Sequence, residues 1–186
     1  MTALAVDGSV VLKWVFPHRD GEAHVGQALA VLEHIRQGRV SVLQPPHWLA
    51  EVAAVVSRLE PRRAHEVISL LHAMEFPVSD GVEVYQRACE LSVALRQHVF
   101  DTLYHAVALS RLDGVLLTAD EHYYHRAVRA GRVTLLSELP VAYSMLLEPE
   151  DIGLRAPRPA RIGEHFQRYI EAGVRAILKP IPSLAW

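Results

Sequence analysis

The chain alternates short, continuous apolar runs with longer stretches in which apolar residues recur every three or four positions. The first pattern marks a strand covered on both faces, the second a helix with one buried side. Apolar runs predict strands over residues 3–6, 40–43, 115–117 and 133–136. Helices are predicted over 10–16, stopped by Pro17, and over 21–37, where Val25, Leu29, Leu32 and Ile35 share a face and Gly38 supplies the stop. Pro45-Pro46 opens a further helix through Leu59 with a stripe that includes Trp48, Val52 and Val56. Residues 61–75 pair with it as a helical hairpin, residues 76–78 are extended or a short strand, and Val84, Ala88, Leu91 and Leu95 define a helix over 81–97. Strands alternating with helices predict an α/β fold: a central parallel sheet in a three-layer α/β/α arrangement.

The centre of the pattern is Phe100 to Leu109 and the strand after it. Leu103 and Val107, with Leu112 beyond them, follow the helical period, Asp113-Gly114 makes a tight turn, and Val115 to Leu117 is a buried strand. A helix over 121–130 ends at Gly131 before the last strand. The unit carries an acid at each end, Asp101 in the helix and Asp120 just past the strand. Ligand sites of open α/β sheets lie beyond the carboxyl ends of the strands, so Asp120 stands where chemistry is done. Asp7 occupies the same place after the first strand, and Glu51 sits at the edge of its helix's apolar stripe.

Composition narrows the picture. The 186 residues are 51% hydrophobic with a net charge of −2, which suits one domain with a substantial core and gives no global signal for nucleic acid. The one cysteine, Cys89, fits a reduced compartment and is expected to be a small apolar core residue. With no signal peptide and no run of about 18 apolar residues, a cytoplasmic location off the membrane is expected. The pattern divides the chain at 137. Residues 138–186 hold six of the eleven prolines and one amphipathic helix, with Ile162, Phe166, Tyr169, Ile170, Val174, Ile177 and Leu178 on its apolar side.

Each acid alone has an ordinary explanation: Asp7, Ser9, Asp101 and Asp120 all suit helix N-caps. As a set, four carboxylates at one sheet edge would repel and raise one another's pKa values, a situation that divalent cations relieve. All-oxygen ligation suits Mg²⁺ or Mn²⁺, and displacement at phosphorus is the chemistry that uses them. An aspartyl-nucleophile phosphatase would need a second aspartate where Ser9 stands, and no glycine-rich dinucleotide turn follows the first strand.

The stretches Val6-Asp7-Gly8-Ser9-Val10, Pro46-His47-Trp48-Leu49-Ala50-Glu51-Val52, Phe100-Asp101-Thr102-Leu103-Tyr104-His105-Ala106 and Leu117-Thr118-Ala119-Asp120-Glu121 resemble, in order, the PIN-domain ribonucleases, and among them the VapC-type toxins of toxin–antitoxin pairs. The resemblance implies that Asp7, Glu51, Asp101 and Asp120 are the catalytic, metal-binding acids, with Ser9 and Thr118 supporting them through hydroxyls. It implies one or two Mg²⁺ or Mn²⁺ ions, in-line attack of water on an RNA phosphodiester, and neutralisation by a small antitoxin. Phe100 stands where the family often has tyrosine. Residues 1–137 would form the nuclease domain; the extension lies outside the resemblance. Two other readings stay open: a PIN nuclease of RNA processing without an antitoxin, and an inactive scaffold that binds a partner.

The eleven histidines lack zinc-site spacing. His105, His122 and His125 lie near the acids and could meet substrate phosphate, though ordinary partly exposed histidines explain them better. Lys13, Arg126, Arg129 and Arg132 could hold an RNA backbone or be solvated surface. The apolar stripe of the extension could dock on this chain's own core, on a second copy or in an antitoxin groove. A second copy, giving a homodimer, is favoured because the sheet-covering helices leave little vacant apolar surface on the chain's own core and symmetric dimers are the commonest oligomers.

Overall fold

A computed structural model of the chain describes residues 2–139. Nearly all of the extension, its amphipathic stripe included, lies outside the described residues. The order is β1 (Ala3–Val6), α1 (Gly8–Val15), α2 (Val25–Arg36), β2 (Ser41–Val42), α3 (Trp48–Leu59), α4 (Ala64–His72), α5 (Val82–Leu95), α6 (Val99–Leu109), β3 (Gly114–Thr118), α7 (Glu121–Ala127) and β4 (Val133–Leu135). The four strands form one parallel sheet in the order β2-β1-β3-β4, the α/β architecture expected. Val6 pairs with Leu117, so the central strands β1 and β3 end side by side. Among the described residues no helix is long and apolar enough to cross a membrane.

Packing follows the apolar pattern. Val10, Val11 and Trp14 of α1, Val52 and Val56 of α3, and Leu103, Ala106 and Val107 of α6 are buried with Leu116 and Leu117 of β3 in one core. Removing a Leu or Val side chain of this kind from water contributes roughly 1.5–3 kcal/mol. The α6–β3 turn depends on a glycine: a Cβ on Gly114 would lie 2.0 Å from the carbonyl oxygen of Ala108. At the other end of β1, the fully buried Gln44 does what a longer β2 would have done. Its Oε1 accepts from Val6 N at 3.0 Å and its Nε2 donates to Val6 O at 2.9 Å. Those bonds satisfy the backbone of the residue just before Asp7.

Several expectations shift. The helix expected over 21–37 starts at Val25, because Gly21 and His24 both take positive φ, +78° and +59°. The residues after Pro61 form a turn before α4, and the expected extended segment 76–78 reduces to an isolated bridge between Val78 and Gln44. The helix over 121–130 tightens into a 3-10 turn at Val128–Ala130. Leu112 is not on the inner face of α6: the helix has ended and Leu112 is 97% exposed. Cys89 is not a core residue either; it lies on the outer side of α5, next to the buried Ala88. One step along a helix turns 100°, enough to move a side chain from core to solvent.

Candidate active site

The end of the β1–β3 pair builds a cradle of side-chain oxygens. Asp7 caps α1: its Oδ1 accepts from Ser9 N at 2.8 Å. Its Oδ2 accepts from the Thr118 hydroxyl at 2.7 Å. The same Thr118 oxygen accepts from Asp120 N at 3.0 Å, so one buried hydroxyl ties Asp7 to the backbone of Asp120. Ser9 Oγ accepts from Ala119 N at 3.0 Å, a second clasp between α1 and the segment after β3. Asp120 caps α7 through Tyr123 N at 3.0 Å. Capping is thus real for Asp7 and Asp120, and it orients both carboxylates.

The other two acids arrive on helices. Glu51 is in the first turn of α3, and its carboxyl lies over Gly8, where an added Cβ would come within 3.1 Å of it. Its Oε2 accepts from the buried Tyr104 hydroxyl at 2.8 Å. His47 stands 3.7 Å from that oxygen, with its ring edge-on to Tyr104 at 5.0 Å and tilted against Phe100 at 5.2 Å. Asp101 lies in the first turn of α6, after the N-cap residue His98. It is therefore a helix residue and not the cap that its position suggested.

Burial is the first cause of an upward pKa shift at Asp7, Glu51 and Asp101. Mutual repulsion adds to it: Asp120 acts on Asp7, Asp7 and Asp101 act on Glu51, and Asp7 and Asp120 act on Asp101. The hydrogen bonds from Thr118 and Ser9 oppose the rise at Asp7, and that from Tyr104 opposes it at Glu51. Burial, followed by the charges of Glu51 and Asp7, drives the Tyr104 phenol far up, so it stays a protonated donor. Four carboxylates from four elements therefore share one electrostatic field. Among the described residues no lysine or arginine pairs with any of them.

Such a donor set fits a hard divalent cation in type and charge. Among the described residues no three of these side chains already form a ready-made ligand cage. The fit is thus one of chemistry and field.

The remaining candidates scatter. Lys13 is buried and bonded to Glu22, so its charge is already matched. Arg126 reaches the carbonyl oxygens of Leu95 and Arg96 at 3.5 and 3.4 Å, Arg132 bonds to the Arg111 carbonyl, and Arg129 is exposed on the surface. His122 and His125 are exposed. His105 is fully buried, its ring nitrogens 3.0 Å from Tyr123 Oη and 2.7 Å from Gly131 O. Burial lowers its pKa, and it serves as a neutral cross-brace between α6 and α7. Tyr104, Gly8 and Gln44 are the residues that sequence reasoning passed over. Tyr104 had a signal, since it lies three positions after Asp101 and so on the same helical face.

A family model described as the PIN domain matches residues 4–129. No curated protein matches the chain.

Proposed function

The chain belongs to the PIN-domain family, whose members are generally nucleases, and on that premise we propose that it is a divalent-cation-dependent endoribonuclease acting as the VapC-type toxin of a toxin–antitoxin pair. The observation that carries the nuclease reading is the common field of the partly buried Asp7, Glu51 and Asp101 with the exposed Asp120 beside them, repelling one another with no lysine or arginine partner among the described residues. A bound Mg²⁺ or Mn²⁺ would supply Lewis acidity toward the phosphodiester and lower the pKa of water. The chain's own part is to hold the acids. Thr118 and Ser9 orient Asp7, the α7 cap orients Asp120, and Tyr104 holds Oε2 of Glu51 while the carboxyl lies over Gly8. Support for the toxin reading is the motif resemblance, with RNA as substrate and a small antitoxin protein as partner.

The test is cleavage of end-labelled RNA by the full chain in Mn²⁺, in Mg²⁺ and in EDTA, beside growth of a bacterial host on induction. Cation-dependent cleavage with growth arrest, both abolished by Asp101→Asn, is the expected result. Cleavage without growth arrest would leave a nuclease and remove the toxin. Equal cleavage in EDTA would remove the cation.

A further inference from the structure

The outer face of α5 has no partner among the described residues. Val82, Tyr85, Cys89 and Val93 are spaced three, four and four apart, which places them within about 80° of one another around the helix axis. Val82 is 62% exposed, Tyr85 41% and Val93 81%, and Cys89 is exposed between them. A line of apolar side chains on the solvent side of a packed helix marks an interaction surface. The inner stripe of the same helix, Val84, Ala88 and Leu91, is already used in the core.

The sequence beyond the described residues predicts a second, longer apolar face. From Ile162 to Leu178 apolar residues recur at helical spacing, a stripe about 24 Å long at 1.5 Å per residue. The α5 line spans about 16 Å on the same measure. Arg168 and Arg175 recur at the seven-residue interval that also separates the exposed Glu83 and Glu90 of α5, of which Glu90 is already paired with Arg87 at 2.8 Å. We propose that segment 162–178 docks as a helix along the outer face of α5 of its own chain. The sequence favoured a second copy because it showed no vacant apolar surface on the core, and α5 supplies that surface. Reach is sufficient: residues 140–161 can extend to about 70 Å, whereas a 139-residue domain is under about 40 Å across. A tether of that length gives an effective concentration of order millimolar, above that of a second molecule in ordinary solution.

Cys89 is the only cysteine of the chain and lies within the α5 line, so its thiol reports on the cover. In the native full-length protein a thiol reagent such as DTNB should label Cys89 at least about tenfold more slowly than in denaturant, as for a site that reacts only on local opening. Phe166→Asp with Ile170→Asp should restore fast labelling, whereas the wild type should be a monomer by light scattering with its protection unchanged on dilution. The reciprocal Val93→Asp, at a solvent-exposed position, should speed tryptic cleavage at Arg168 and Arg175 with the far-ultraviolet spectrum retained. Fast labelling of the wild type would overturn the proposal. So would protection that fades on dilution, which would assign the face to a second copy, and so would variants that leave protection and cleavage unchanged.

Discussion

Asp7→Asn separates the cost of the acid cluster from its use. The two residues are isosteric and cap helices about equally, so the bond from Ser9 N at 2.8 Å should survive. What changes is the bond from Thr118. A hydrogen bond to a charged group contributes about 1.5–3 kcal/mol and one between neutral groups about 0.5–1.5, so roughly 1 kcal/mol is lost there. Against that, the variant no longer buries a carboxylate beside Asp120, Glu51 and Asp101, which is the larger influence on Asp7. In EDTA the variant should therefore match the wild type or exceed it in urea denaturation. Saturating Mn²⁺ should stabilise the wild type by about 2.7 kcal/mol at 100 times its Kd and the variant far less. RNA cleavage should disappear. Full activity in Asp7→Asn would refute the reasoning, as would equal stabilisation of both proteins by Mn²⁺.

Tyr104→Phe removes only the donor to Glu51 Oε2 and should lower cleavage about 10–100-fold while the fold persists, with the loss vanishing in a Glu51→Gln background. Thr118→Val breaks both clasps of its hydroxyl and leaves Asp120 N without that acceptor, so it should cost about 1–3 kcal/mol in denaturation as well as activity. Gln44→Leu strands the Val6 backbone and should destabilise by about 2–4 kcal/mol, measured by the same titration; an unchanged midpoint would mean that water replaces the amide. The folded-state pKa values of Asp7, Glu51 and Asp101 are raised, so their share of stability is fully present below the unfolded values near 3.8 and 4.5 and is lost as pH rises through the folded values. Thermal melts in EDTA should show the wild type losing stability relative to Asp7→Asn over that rise, and parallel profiles would contradict it.

Parallel α/β architecture was legible in the sequence because strand and helix leave different apolar periods, and each period reports burial without reference to the rest of the chain. The placement of Asp7 and Asp120 was legible for a related reason. Asp7 directly follows one apolar strand and Asp120 comes two residues after another, and parallel pairing of Val6 with Leu117 carries both to the same edge. Cys89 was misread by residue type although its face could have been read from Val84, Ala88 and Leu91 one helix position away. Other features could not be read locally at all. His105 looked like a neighbour of Asp101 until Tyr123 and Gly131, 18 and 26 positions on, closed around its ring. Lys13 looked available for RNA until the chain turned back to bring Glu22 to it. Tyr104 meets Glu51 across 53 positions and Thr118 meets Asp7 across 111. Sequence alone determined the main elements and the acids that are candidates for the chemistry. Tertiary structure decided their partners, because hydrogen bonds and charge repulsion act through distance in space, and only the folded sheet brings these separated side chains within that distance.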